Sequence, residues 1–378
     1  MTLLQRFGVY SVIGTISLMP LLVLPAMIGT LVDETALSEA QAGWSASLNF
    51  FGGAAAALAM ALRMHHLDLR RVAILAFTVA ALGDLASAFT GNHATVFLLI
   101  RLVAGIGAGA AYTVVVAAFA RLPDVDRGYG LFVTLQFIVS GLGLYALPVY
   151  SEVLGVEGMF LSIAALDVAG LAMTRFLPGR AIDAPGFSGL KTELHVLLAW
   201  ATLLGALGFA IFEAANTAQF TYVERLGVSL ALTDQQVGSA LLIASLAGIP
   251  GAFVIVLLGS RFGRVAPLTL GIALSICGLL TLITGDSFAS YLLGTSLMGF
   301  SWAFCLPYIQ GLLAELDPHG SAVAAGSASS TIGGSIGPGL AALAVGGGSY
   351  TRVLGLSICL LLAALASFWL ASRRAVMD

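Results

Sequence analysis

Four ionisable side chains, Asp84, Arg101, Asp167 and Glu213, lie inside long apolar stretches of this 378-residue chain. An ionisable group is costly in an apolar environment, so each of the four is a candidate site residue. Asp84 lies about six residues before one stretch ends and Arg101 about six after the next begins, which places both roughly 9 Å from the same end of two consecutive helices. We predict that Asp84 and Arg101 form an ion pair, which either pins two helices together or takes part in function.

Glu213 belongs to a polar stripe on one face of a predicted helix. Asn216, Thr217 and Phe220 follow it at helical spacing. A polar stripe of three turns is poorly suited to lipid, so we expect it to face a cavity. Burial disfavours the charged form of a carboxylate, and we therefore predict that Glu213 binds and releases a proton. The alternative is a hydrated acid at the mouth of the cavity.

Further polar and aromatic residues inside apolar stretches are candidate substrate contacts. The set comprises Tyr112, Gln136, Trp302, Tyr308 and Gln310. Aromatic residues in such stretches serve packing more often than binding, so that alternative stays open for three of them. Asp167 is predicted to make an interhelical hydrogen bond. We expect no metal site, because the adjacent histidines His65 and His66 lack the spacing of metal ligands.

The composition sets the class of protein. Hydrophobic residues make up 59% of the chain and charged residues 9%, whereas a soluble domain carries about 25% charged residues. The net charge of −3 offers no basic surface for nucleic acid. The three cysteines lie in apolar runs and cannot all pair, so no disulfide framework is indicated. We therefore predict a polytopic membrane protein and exclude a soluble enzyme, a DNA-binding protein and a secreted scaffold.

The apolar stretches predict an all-α membrane protein with twelve transmembrane helices of about 20 residues each. They begin near Phe7, Ala40, Arg71, Ala94, Gly128, Gly155, Leu194, Gln235, Val265, Phe288, Ser321 and Tyr350. If the N-terminus is cytoplasmic, most arginines fall at cytoplasmic ends, and only Arg225 and Arg352 fall in outer loops. This asymmetry predicts that both termini are cytoplasmic.

The two halves of the chain resemble each other. Residues 37–43 read LSEAQAG and residues 232–238 read LTDQQVG, and both segments have the spacing of a helix capping box. Gly105 and Gly299 match at nearly the same offset. We predict a six-helix bundle at 1–177, a cytoplasmic linker at 178–193 and a second six-helix bundle at 194–378. Such parallel repeats are related by a pseudo-two-fold axis along the membrane normal, with the substrate site between them.

The chain resembles the major facilitator superfamily (MFS) over essentially its whole length. The twelve spans and the six-plus-six repeat carry part of the resemblance. The loop GSRFGR, Gly259 to Arg264, is similar to the family's charged cytoplasmic loop, with Ser260 in place of its acid. RLVAGIGAG, Arg101 to Gly109, resembles the family's membrane-embedded arginine followed by small residues. The first-half loop, MHHLDLRR at 64–71, is degenerate.

The resemblance implies roles for these residues. The family's arginine lies beside the translocation path and is linked to proton coupling, so the resemblance makes Arg101 a candidate proton-coupling residue. Its predicted partner Asp84 and the acid Glu213 on the polar stripe are the other two candidates for proton coupling. Arg101 and Glu213 are also candidate substrate contacts. The cavity in this fold is lined mainly by helices 1, 4, 7 and 10. The two loops imply a conformational latch formed by Arg70, Arg71, Gly259, Arg261, Gly263 and Arg264.

We therefore expect a secondary active transporter that moves a small organic solute by alternating access. Arg101, as the membrane-embedded cation, favours an organic anion taken up by proton symport. The alternative is a proton-driven efflux antiporter for lipophilic cations or drugs, with Asp84 and Glu213 as the attracting acids. The sequence GGSIGPG, Gly333 to Gly339, resembles the antiporter pattern but lies on the eleventh helix. A receptor or lipid-moving protein on the same fold is a third possibility.

The remaining expectations concern surroundings and partners. No nucleotide-binding loop occurs, so the proton gradient is the expected energy source and no cofactor is expected. The expected partners are the small-molecule substrate and membrane lipids, without nucleic acid. We expect a monomer in a bacterial inner (plasma) membrane.

Overall fold

The structure is a computed structural model that describes residues 2–61, 67–179, 199–259, 261–316, 321–346 and 349–374. Those residues are helical almost throughout, and none of them lies in a β-strand. His65, His66, Ser260 and residues 180–193 of the predicted linker lie outside these ranges.

The chain divides into two compact units, Met1–Gly186 and Phe187–Asp378. The helices of unit 1 are α1 (Leu3–Ser17), α2 (Met19–Leu22), α3 (Leu24–Glu34), α4 (Glu39–Ala61), α5 (Leu69–Ala88), α6 (Ala94–Phe119) and α7 (Val125–Met173). The helices of unit 2 are α8 (Trp200–Thr221), α9 (Val223–Ser229), α10 (Asp234–Leu258), α11 (Val265–Thr284), α12 (Phe288–Leu316), α13 (Ser321–Ala344) and α14 (Tyr350–Arg374). A short 3-10 turn, Thr174–Phe176, follows α7.

Nine segments of the described chain are long and apolar enough to cross a membrane. They are Leu69–Ala88, Ala94–Phe119, Arg127–Tyr150, Gly155–Phe176, Trp200–Ser229, Asp234–Leu258, Val265–Thr284, Phe288–Leu316 and Tyr350–Arg373. Two of them lie in α7, which is interrupted at Gly155, where φ is +56°. The three other predicted spans differ for physical reasons. The first is split into α1, α2 and α3 near Pro20 and Pro25, and α4 and α13 contain several glycine and serine residues, which lower their mean hydropathy.

The predicted capping boxes are confirmed. The Gln41 backbone N–H donates to Ser38 Oγ at 3.3 Å, and the Ser38 N–H donates to Gln41 Oε1 at 2.9 Å. Thr233 and Gln236 repeat this arrangement at the start of α10, at 3.3 and 3.0 Å. Each box satisfies backbone donors that the first helical turn leaves free, which is why α4 and α10 begin at equivalent positions.

Equivalent glycines also pack in equivalent ways inside the two units. A Cβ added to Gly105 of α6 would overlap the backbone carbonyl oxygen of Asn49 on α4. A Cβ added to Gly299 of α12 would overlap the carbonyl oxygen of Ala244 on α10. Glycine therefore lets the helices of each pair approach to backbone contact, as small residues do in membrane proteins. The internal repeat of the sequence is thus repeated as a packing arrangement.

An aromatic core holds α1, α5, α6 and α7 together in unit 1. Tyr10, Phe77, Phe119 and Phe132 are among its buried residues. The Tyr10 and Phe119 rings meet edge to face with centroids 5.8 Å apart, and Phe119 and Phe132 lie 5.5 Å apart. Such rings bring large buried areas and preferred geometries to a core. The core fixes the three helices that carry Asp84, Arg101 and Asp167.

Candidate functional site

Glu213 is held by a tryptophan within unit 2. Trp302 on α12 donates its indole N–H to Glu213 Oε2 on α8 at 3.4 Å. The Glu213 side chain is half-buried, and in the described part of the chain no basic residue forms an ion pair with it. This carboxyl group can therefore gain or lose a proton without breaking a salt bridge.

The polar stripe on α8 continues for two turns beyond Glu213. The Asn216 amide donates to the Phe212 carbonyl at 2.8 Å, and Gln219 Nε2 donates to Asn216 Oδ1 at 2.9 Å. Gln219 Oε1 is buried and has no hydrogen-bond partner among the described residues. We call Glu213, Asn216 and Gln219 the α8 stripe. Gln219 was not among the residues predicted from the sequence, although it follows Asn216 at a helical spacing of three residues.

Two other members of the predicted stripe have different surroundings. The Thr217 hydroxyl donates to the Glu213 carbonyl at 2.8 Å, and Thr217 lies against Gly337 of α13. Thr217 therefore belongs to the contact between α8 and α13. Phe220 is half-buried, one turn beyond Asn216.

Arg101 and Asp84 form the predicted ion pair in the interior of unit 1. Arg101 Nη1 on α6 donates to Asp84 Oδ1 on α5 and to Ser87 Oγ at 3.3 Å. The guanidinium carbon lies 5.1 Å from the centroid of the Phe160 ring. Arg101 is 0% exposed and Asp84 3% exposed. The positive charge of Arg101 is thus fully buried and already compensated.

Asp167 brings a second carboxyl group to this ion pair. Its side chain, on α7, is within hydrogen-bonding contact of Asp84 and is 3% exposed. The predicted interhelical contact of Asp167 is therefore with another acid, which sequence spacing did not indicate. We call Asp84, Arg101 and Asp167 the acid–arginine cluster. In the described residues, no group of three histidines, cysteines or acids could hold a metal ion.

The remaining candidate substrate contacts are dispersed. Tyr112 and Gln136 are half-buried, and the Tyr112 ring lies 6.2 Å from that of Phe132 at the edge of the aromatic core. Tyr308 is fully buried, and its hydroxyl donates to the Gly259 carbonyl at 3.4 Å, so it packs against the end of α10. Gln310 is exposed. Within each unit, the structure brings none of these four into hydrogen-bonding contact with Glu213 or Arg101 among the described residues.

The second-half loop contains an ion pair of its own. Arg264 Nε donates to Glu315 Oε1 on α12 at 2.8 Å, and the guanidinium lies over Gly311. Gly259 and Gly263 have φ of +56° and +69°, a left-handed conformation that glycine adopts without strain. The Arg261 side chain is exposed. The loop therefore joins α10 to α11 along the chain, and its Arg264 links the start of α11 to α12 through the ion pair with Glu315.

The first half of the chain has no acid at the position that corresponds to Glu315. Arg70 is equivalent to Arg264 in the repeat, and Arg121 is equivalent to Glu315. Arg70 instead donates from Nε and Nη2 to the Leu177 carbonyl at 3.2 and 2.8 Å. Arg71 is 87% exposed, with its Nε 3.6 Å from an oxygen of Asp68. Arg70 thus contacts a backbone carbonyl, whereas its counterpart Arg264 forms an ion pair with Glu315.

Comparison with known proteins identifies the family. The family model described as Major Facilitator Superfamily matches residues 7–338. The chain belongs to the Major Facilitator Superfamily. The resemblance stated from the sequence motifs is therefore confirmed, and this MFS member is an integral, multi-pass membrane transporter and not an enzyme.

Two crystal structures share the MFS fold of the chain. The nucleoside transporter NupG, in a point-mutant form, superimposes with a TM-score of 0.76 at 13% identity, covering 98% of this chain and 99% of NupG. A D-xylose-proton symporter superimposes with a TM-score of 0.75 at 15% identity, covering 97% of this chain and 98% of the symporter. No curated protein matches the sequence. At these identities the two structures establish the fold alone.

Proposed function

We propose that this MFS member is a secondary active transporter that moves a small organic solute by alternating access, coupled to protons by symport. The observation that carries the proposal is Glu213, a half-buried carboxyl group that Trp302 contacts and no basic residue neutralises in the described chain. Such a group can change its protonation state during a transport cycle at low cost. The proton gradient is then the energy source, without a cofactor.

We infer that twelve segments cross the membrane. The broken helix formed by α1, α2 and α3, together with α4 and α13, adds three segments to the nine that are apolar enough by themselves. The distribution of arginines favours cytoplasmic termini. We propose the inner (plasma) membrane of a bacterium as the location of the protein. We further propose that the protein acts as a monomer in that membrane, with lipids and the solute as its partners.

The solute class that we propose depends on which charged side chains could contact a solute. The expectation of an organic anion rests on Arg101, whose guanidinium is wholly buried and bound to Asp84. An anion would therefore need a cation from elsewhere in the chain. We favour a polar, uncharged solute that stacks on the Trp302 ring and hydrogen-bonds to the α8 stripe. The nucleoside and D-xylose named for the two structural neighbours are solutes of this kind.

One observation favours a second candidate function, the proton-driven efflux of lipophilic cations. A carboxylate beside an indole ring is the pair of groups that recognises an organic cation, through charge and through the ring face. Glu213 and Trp302 are such a pair. In an antiporter, the proton and the cation would compete for Glu213, whereas in a symporter the proton would assist solute binding.

Transport in proteoliposomes under an imposed pH gradient tests both functions. Sugars and nucleosides, organic acids and lipophilic cations are supplied separately to the wild-type protein, to Glu213→Gln and to Glu157→Gln. We expect gradient-driven flux of one solute class in the wild type, loss of that flux in Glu213→Gln, and survival of solute exchange that requires no net proton movement. Glu157 is exposed on α7, so Glu157→Gln serves as the matched control and should behave as the wild type. Full gradient-driven flux in Glu213→Gln would refute the assignment of Glu213.

A further inference from the structure

The acid–arginine cluster is a second buried polar site, and the proposed role of Glu213 in unit 2 does not account for its presence in unit 1. Its three residues lie on different helices, α5, α6 and α7, and none is more than 3% exposed. We propose that Asp84 and Asp167 share one proton, so that unit 1 holds a buried proton-binding site with Asp167 as the proton-carrying residue.

The first argument is a count of charges. The charged groups that act on Asp167 are Asp84 and Arg101. Arg101 can neutralise one carboxylate, and its ion pair with Asp84 already does so. A second ionised carboxylate in contact with the first would be buried, uncompensated and repelled. A proton on Asp167 removes that repulsion and turns the contact into a hydrogen bond from a carboxylic acid to a carboxylate.

The second argument comes from atoms that remain without partners. Arg101 Nε and Nη2 are buried and make no hydrogen bond to any described residue. An ionised Asp167 would be expected to engage them, because arginine and carboxylate groups pair through two parallel hydrogen bonds. Asp167 instead contacts Asp84, and its Oδ2 has no partner in the described chain. Asp167 thus contacts another acid although guanidinium nitrogens without partners are nearby. This arrangement fits a protonated, neutral Asp167 that donates a hydrogen bond to Asp84.

The surroundings limit what the site can bind. From α4, the Asn49 amide donates to the Arg101 backbone carbonyl at 3.0 Å, and the Phe160 ring faces the guanidinium. A Cβ at Gly83 would lie 2.7 Å from the Ala104 side chain, so α5 and α6 are in close contact at the site. Such packing leaves space for a proton, whereas a metal ion would need several oxygen ligands and would lie beside a positive charge.

Other titratable groups on the same helices are distant. His93, at the start of α6, is roughly 12 Å from Arg101 along the helix axis, and Glu157 is roughly 15 Å from Asp167 along α7, at about 1.5 Å per residue. The cluster is therefore well separated from these two groups. Loss of the shared proton would place two repelling carboxylates on α5 and α7, so the protonation state should alter the packing of these helices. This inference concerns unit 1 and holds whether or not Glu213 carries the coupling proton.

A double-mutant cycle on the full-length protein in detergent tests the proposal. Thermal unfolding is measured for Asp84→Asn, Asp167→Asn and the double variant, with Glu157→Gln as the exposed control. Asp167→Asn imitates the protonated acid and should unfold near the wild-type temperature. Asp84→Asn should also be tolerated, because Asp167 can then ionise and pair with Arg101. The double variant should unfold at a temperature lowered by much more than the sum of the single shifts, because Arg101 then has no counter-charge.

Infrared spectroscopy provides an independent measurement that does not require all variants to fold. We expect the wild-type spectrum to contain the C=O band of a protonated carboxyl group that Asp167→Asn lacks and Glu157→Gln retains. The proposal is overturned if Asp167→Asn keeps the whole protonated-carboxyl signal. It is also overturned if the single shifts in the cycle simply add, or if sodium, at constant pH, removes the band. Neither experiment measures transport, so failure here is distinct from failure of the Glu213 assignment.

Discussion

Among the described residues of unit 1, Arg101 is the only cation beside the two buried acids Asp84 and Asp167, and its replacement by alanine removes that charge. Removing one partner of a buried ion pair costs about 3–5 kcal/mol, because the other charge stays buried and unpaired. No correction for solvent screening applies, since Arg101 is 0% exposed. We therefore expect Arg101→Ala to unfold at a clearly lower temperature than the wild type.

The contacts of Arg101 also predict the outcome of a conservative change. Arg101 uses a single nitrogen, Nη1, to contact Asp84 and Ser87. The ammonium group of a lysine could therefore replace this contact, because no bidentate arginine–carboxylate geometry is involved. Arg101→Lys keeps the charge but loses the contact with the Phe160 ring and one hydrogen bond. The hydrogen bond is worth about 0.5–1.5 kcal/mol and the buried ring contact about 2 kcal/mol, so lysine should cost less than alanine, which removes the charge as well.

Thermal unfolding in detergent, followed at several pH values, is the assay. Arg101→Ala should be least destabilised at low pH, where protonation can neutralise the orphaned acids. Arg71→Ala is the control: its side chain is 87% exposed, and surface changes of this kind stay within about 0.5 kcal/mol. If Arg101→Ala is no less stable than Arg71→Ala, the buried pair does not hold α5 to α6 and the reasoning fails.

Further predictions concern packing, capping and the second-half loop. Gly299→Ala should destabilise unit 2 or prevent folding, because the Cβ would overlap a backbone oxygen, whereas Gly334→Ala, whose nearest neighbour would be 3.8 Å away, should be tolerated in the same unfolding assay. Thr233→Ala should cost about 1 kcal/mol through loss of its helix cap, measured by thermal unfolding. Arg264→Ala and Glu315→Gln should shift the balance of inward-open and outward-open states to the same degree, measured by cysteine accessibility. Because the Glu315 side chain is 56% exposed, neither variant should lower the free energy of unfolding by more than about 1 kcal/mol. Unequal shifts in accessibility would show that the ion pair is not the element that controls the balance.

Several features could be predicted from the sequence because their causes are local or periodic. Composition alone requires a lipid environment for most of the chain. The capping boxes at Ser38 and Thr233 depend on residues three positions apart, so they are visible without a fold. The pairing of Asp84 with Arg101 could be predicted because a short turn joins two helices and places both charges at the same distance from that turn.

Other features could not be predicted because they depend on which helices become neighbours. Spacing places Asp167 on α7 but does not indicate that its carboxyl group meets Asp84, which is far away in sequence. The contact of Glu213 with Trp302 joins residues of α8 and α12 in the same way. Tyr308, a plausible cavity residue by its type, is instead buried against the end of α10.

The physical difference lies in what limits each kind of interaction. Capping, hydropathy and depth in the membrane follow from residue type and from distance along one helix, and the chain specifies both directly. Contacts between helices depend on which face of each helix has residues small enough for close approach, as at Gly105 and Gly299. Which faces meet depends on the packing of all the helices at once. The sequence by itself therefore determined the membrane class, the repeat and the candidate charges, whereas only the tertiary structure decided that Asp167 lies against the Asp84–Arg101 pair in unit 1.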